Sequence, residues 1–141
     1  MPTIRSRDAL RQSSAAMFTL LAGLVCGSLP ALAQASGGIA GSWSGSGRVV
    51  LSTGNAERAR CRVSFRRQTA RTYGMSATCA TPSTRVSQVA QVQLVSASSY
   101  EGRFYNREYD VTGTVRLVVN GRRMSAYLRG GGAAASLSLS R

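Results

Sequence analysis

GSWSGSGRVVLSTGNAERARCRVSFRRQTARTYGMSATC, residues 41–79, is the stretch that decides the fold. Trp43, Gly45, Gly47, Val49 and Leu51 occupy one side of an alternation, and Ser42, Ser44, Ser46 and Arg48 the other. After a Thr53-Gly54-Asn55 turn, Ala59, Cys61, Val63 and Phe65 alternate with Arg58, Arg60, Arg62, Ser64 and Arg66. Beyond a loop at 68–72, Tyr73, Met75, Ala77 and Cys79 alternate with Gly74, Ser76 and Thr78. Period two marks a strand with one buried and one wetted face. Centring the second hairpin near Thr69 to Arg71 sets Cys61 opposite Cys79, Phe65 opposite Met75 and Arg67 opposite Tyr73. Opposed residues lie about 4.5–5.5 Å apart at Cα, within disulfide reach. One disulfide, stabilising by roughly 2–4 kcal/mol, is expected.

The pattern continues to the end of the chain. Segment four, Arg85 to Val95, places Val86, Ala90, Val92 and Leu94 on one face, but Val89 and Val95 fall on the other. Tyr100, Gly102 and Phe104 point inward on segment five, and Val111, Gly113, Val115, Leu117 and Val119 on segment six. Asn120-Gly121 signals a type I′ hairpin. A two-residue loop there pairs Leu117 with Met124, Val115 with Ala126 and Gly113 with Leu128. Met124, Ala126 and Leu128 point inward on segment seven. Gly130-Gly131-Gly132 turns the chain, and Ala133, Ala135, Leu137 and Leu139 point inward on segment eight.

Eight short strands at even spacing with short turns predict an all-β, eight-stranded antiparallel up-and-down barrel over residues 41–141. Closure removes the exposed edges. The last strand then lies against the first, with Leu139 facing Gly45, Leu137 facing Gly47 and Ala135 facing Val49. The same register sets Arg141 opposite Trp43, where the guanidinium would cover the indole and close the barrel end.

The first third of the chain reads as a leader. Arg5, Arg7 and Arg11 precede an apolar run, Ala15 to Leu29, which Pro30 breaks. Its length and the small residues of Ala31-Leu32-Ala33 and Ala33-Gln34-Ala35 fit a secretory signal cut after Ala33 or Ala35. The expected organisation is a signal peptide over 1–33, a flexible arm over 34–40 and the barrel over 41–141, in a periplasmic or secreted protein. Cys26 leaves with the leader, and an exported chain with two remaining cysteines favours a disulfide.

All 18 basic residues are arginine. Fifteen lie beyond the leader against Glu57, Glu101, Glu108 and Asp110, a net charge of +11. Such charge on one small domain attracts polyanions. Arg58, Arg60, Arg62 and Arg66 share one face about 6.5–7 Å apart, a spacing that suits phosphate or carboxylate groups along an extended anionic polymer. The turn Asn106 to Asp110, with Tyr105, Arg107 and Tyr109, is the second candidate interaction surface. Aromatic partners outside the core are too sparse for a dedicated nucleic-acid surface. A lipid-embedded barrel is not expected, because it would crowd the arginines into a narrow lumen and lacks aromatic girdles. Without histidine there is no Ser-His or Cys-His base and no imidazole for a metal. No catalytic residue, metal site or cofactor is expected.

Gly41-Ser42-Trp43 opening the first strand of such a meander resembles the calycin and lipocalin group, which implies a barrel able to carry a small apolar ligand. AGSWSGSG followed by Cys61 and Cys79 is similar to the Inh-type metalloprotease inhibitors. That likeness implies an N-terminal arm, here Gln34 to Ala40, that enters a protease cleft. Over Gly41 to Arg141 the chain resembles small exported β-barrel proteins of alphaproteobacteria, in Gly-x-Trp, ERARC, CAT and the closing SLSLSR; this implies export and fold, and no activity. The functional expectation is a non-enzymatic binding or envelope-interaction module for anionic polymers or a protein partner. The alternatives are a metalloprotease inhibitor and an apolar-ligand carrier.

Overall fold

The computed structural model describes residues 38–141. The expected leader and residues 34–37 of the expected arm lie outside them. Eight strands follow one another: β1 (Gly41–Val50), β2 (Ala56–Arg67), β3 (Thr72–Ala80), β4 (Arg85–Ser96), β5 (Ser99–Asn106), β6 (Val111–Asn120), β7 (Arg123–Gly130) and β8 (Ala133–Ser140). Each pairs antiparallel with the next, and β8 pairs with β1, so the sheet closes into an eight-stranded barrel. Inward positions form one continuous core that includes Trp43, Phe65, Tyr73, Met75, Leu117 and Leu137. The outward positions of β2, Arg58, Arg60, Arg62, Ser64 and Arg66, are all exposed. Apolar residues therefore point in and arginines out, the inverse of a lipid-facing barrel wall.

Cys61 and Cys79 are direct partners on β2 and β3, with Phe65 against Met75 and Arg67 against Tyr73. The two cysteines form a disulfide whose Cα atoms are 4.1 Å apart. The seam pairs Gly45 with Leu139, Gly47 with Leu137 and Val49 with Ala135. Its glycines do more than set small against large. A Cβ on Gly45 would overlap the carbonyl oxygen of Ser138, and one on Gly47 that of Ser136. The backbones of β1 and β8 meet so closely that only glycine fits.

One register differs from the sequence reading. β6 and β7 pair Leu117 with Ala126, Val115 with Leu128 and Gly113 with Gly130. The two-residue loop is Gly121-Arg122 rather than Asn120-Gly121. Gly121 has φ +59° and Arg122 is not in the positive-φ region. A positive φ at the first central position only is the signature of a type II′ turn, which wants glycine there. The slip is two residues, so every side chain keeps its face while its cross-strand partner changes. The weaker sidedness of β4 has a structural basis at one of its two positions. Val95 sits at the register shift between Leu94 and Ser96, whereas Val89 stays in regular register on the outer face, between Ser76 and Tyr105; both valines are half exposed.

Replacing Gly47 with alanine is expected to destabilise the protein by roughly 1–3 kcal/mol, because the obstructing atom belongs to backbone and cannot rotate away. Ser46→Ala, on the outer face of the same strand, is expected to stay within about 0.5 kcal/mol of the parent. Denaturant melts of the two variants check this; equal stabilities would show that the seam tolerates a side chain.

Candidate functional site

At the end of the barrel where β1 begins, the core is sealed. Ile39 is fully buried, and its carbonyl accepts a 2.8 Å hydrogen bond from the Trp43 indole N–H. The Arg141 guanidinium lies 4.5 Å from the centroid of the Trp43 ring. It also donates to the carbonyls of Ala40 and Gly38, at 2.9 and 3.2 Å. Residues 38–40 are therefore not part of a flexible arm. Ile39 is the only large apolar side chain in QASGGIA, and burying it against Trp43 fixes the segment. Tyr73 and Tyr100 pack edge to face beneath this plug, with centroids 5.6 Å apart. Burial raises the Tyr100 phenol above its ordinary pKa.

The arginines divide into two groups. Those at the sealed end are tied into the structure. Arg67 donates to the Tyr73 hydroxyl, Arg71 to the Leu94 carbonyl, and Arg122 to the Arg141 carbonyl. The arginines of the outer wall are different. Among the described residues, Arg48, Arg58, Arg60, Arg62 and Arg66 make no side-chain hydrogen bond, and the only ion pair is Arg116–Glu101. Arg48 and Arg58 are direct cross-strand partners. Arg60 and Arg85 flank the small Ala80. Like charges set directly opposite are unfavourable without an anion between them. The four arginines singled out on β2 are thus continuous with Arg48 on β1, a neighbour their own strand could not reveal.

A groove of about 880 Å³ opens on the outer wall beside Arg48. Arg48, Tyr127, Arg116 and Arg129 line it, with the short side chains of Ala134, Ser136 and Thr114 between them. The interior offers far less. The cavity enclosed by Val63, Phe65, Met75, Ala126 and Leu137 is about 10 Å³, room for one water at most.

The turn after β5 is largely occupied with its own structure. Asn106 is buried and its side-chain oxygen accepts the Tyr109 N–H. The Tyr105 hydroxyl donates to Asp110, which sits at φ +50°, and the Tyr109 hydroxyl bonds with that of Thr84. The hydrogen bond to Asp110 holds the Tyr105 phenol above its ordinary pKa. Hydrogen bonds from Thr81 and Ser83 hold the Glu57 carboxyl below its own. Two of the three candidate side chains here, Tyr105 and Tyr109, thus spend their hydroxyls internally; Arg107 makes no such bond among the described residues.

The fold is similar to that of designed β-barrels. A redesigned barrel, mFAP1, bound to DFHBI superposes with a TM-score of 0.62 at 8% identity, covering 72% of this chain and 94% of that one. A de novo designed fluorescence-activating barrel gives 0.56 at 15%, covering 72% and 92%. At these identities the likeness concerns the fold alone. The sequence matches no protein-family model and no curated protein.

Ile39→Ala is expected to cost about 2 kcal/mol and to shift Trp43 fluorescence to the red as water reaches the indole. Arg141→Gln removes the cation over the ring and is expected to cost about 0.5–1 kcal/mol with a smaller shift. Emission spectra and melts of both variants test the plug. An unchanged Trp43 spectrum in the Ile39 variant would mean the segment does not cover it.

Proposed function

We propose that this chain is an exported, non-enzymatic barrel that binds an extended anionic polymer of the cell envelope through its outer arginine face. The observation that carries this reading is the opposed pair Arg48 and Arg58, exposed, unpartnered among the described residues, and continuous with Arg60, Arg62 and Arg66 along β2. Cross-strand neighbours stand about 5 Å apart and same-face neighbours about 6.5–7 Å, so several guanidinium forks can each take a phosphate, sulfate or carboxylate. The net charge of the barrel supports the same partner. The leader-like N-terminus supports export.

The two alternatives have less to rest on. An apolar-ligand carrier needs a cavity, and the core around Phe65 and Leu137 is filled. A protease inhibitor of the kind expected needs a free arm, and Gly38 to Ala40 are held by Arg141 and Trp43.

Isothermal titration of the purified protein with heparin and with polygalacturonate tests the proposal. Affinity is expected to fall by roughly two orders of magnitude between about 50 and 200 mM salt, as counterion release at about five contacts requires. Replacing Arg48, Arg58, Arg60 and Arg62 with glutamine should weaken binding and flatten the salt dependence. Absence of binding to either polymer, or equal binding by the four-fold variant, would contradict it.

A further inference from the structure

The outer-wall groove lies beyond the β2 arginines, and its residues sit in one row across the barrel. Arg48 on β1 faces Ser136 on β8, Ser136 faces Tyr127 on β7, and Tyr127 faces Arg116 on β6. Arg129 stands two residues beyond Tyr127 on the same face of β7, next to Thr114. An aromatic ring thus occupies the centre of a groove with a guanidinium on three sides. Strand spacing puts Arg48 about 10 Å from Tyr127, and Arg116 about 5 Å from it. Tyr127 is 48% exposed, and its hydroxyl makes no hydrogen bond among the described residues. The one carboxylate present, Glu101, meets Arg116 at 3.8 Å with both side chains more than half exposed, so the pair is weak.

We propose that this groove is the specificity subsite of the polymer-binding face, and that it takes an acidic sugar unit. The inference rests on the polyanion reading above and names the polymer as an acidic polysaccharide. A sugar ring presents an apolar C–H face and a polar rim. Tyr127 supplies the flat surface for the first. Ser136 and Thr114 supply hydroxyls for the second, and Arg48 and Arg129 take the acid groups of that unit and its neighbour. The groove is open to solvent, and its volume of about 880 Å³ leaves room for a sugar unit. A nucleic-acid strand is less well served. It gains affinity from a succession of stacking platforms, and the groove holds one ring.

The test uses the whole exported chain and three fluorescein-labelled probes: a heparin oligosaccharide, a polygalacturonate oligosaccharide and single-stranded DNA of matched charge. Fluorescence anisotropy is read for the parent, Tyr127→Ala, Arg129→Gln and Arg62→Gln. Tyr127→Ala is expected to weaken saccharide binding about tenfold, the scale of one aromatic contact, and to leave DNA binding within about twofold of the parent. Arg129→Gln should weaken both and lower the salt slope by about one. If Tyr127→Ala and Arg129→Gln both bind saccharide like the parent while Arg62→Gln does not, the groove proposal fails and the polyanion reading stands. A DNA affinity that exceeds both saccharides and falls in Tyr127→Ala overturns the sugar assignment. If the parent binds none of the probes, the polyanion reading fails and the subsite with it.

Discussion

The close approach of β1 and β8 at Gly45 and Gly47 is the constraint on which the molecule depends. Eight strands close only if the first and last can hydrogen-bond along their length, and here a Cβ at either glycine would overlap a backbone carbonyl. Closure then dictates the rest. It turns the apolar face of every strand inward, packs Leu137 and Leu139 opposite those glycines, and removes both free edges. It also leaves the alternate positions, where most of the arginines reside, facing water with almost no carboxylate to meet them.

Much of this was legible in the sequence because it depends on parity. The Cys61–Cys79 pairing and the β1–β8 seam need only a face assignment and a loop centre, and both are fixed by alternation over many residues. The β6–β7 loop was harder. Gly121 can serve as the second central residue of a type I′ turn after Asn120, or as the first of a type II′ turn before Arg122, and the chain uses the latter. Faces survive that two-residue slip but rows do not. With the Asn120-Gly121 register, Tyr127 would face Thr114, and its true neighbour Arg116 would be missed. The groove was invisible for this reason, since it is assembled from neighbours on several strands at once. Ile39 was hidden differently. A single apolar residue among small polar ones has no period, and its role emerges only from the Trp43 hydrogen bond four residues on.

The same fold gives one residue type two roles. Arg67, Arg71, Arg122 and Arg141 act as polar clamps at the sealed end, donating to a tyrosine hydroxyl or to backbone carbonyls. Their delocalised charge and several donors suit that work. Arg48, Arg58, Arg60, Arg62 and Arg66 have no such acceptors among the described residues. Mutual repulsion on the wall opposes folding, so under the proposed function a bound polyanion would offset it and raise stability. The cavity among Val63, Phe65, Met75 and Leu137 is about 10 Å³, and the proposed recognition therefore uses the outer wall.

A residue-resolved NMR titration with a polygalacturonate oligosaccharide separates outer-wall recognition from binding inside the barrel. Amide and guanidinium signals are expected to shift along the outer row from Arg58 through Arg48 and Ser136 to Tyr127, while Trp43, Leu117 and the other inward residues hold still. Shifts concentrated at inward residues, with the outer arginines unmoved, would contradict recognition by the wall and return the site to the barrel interior.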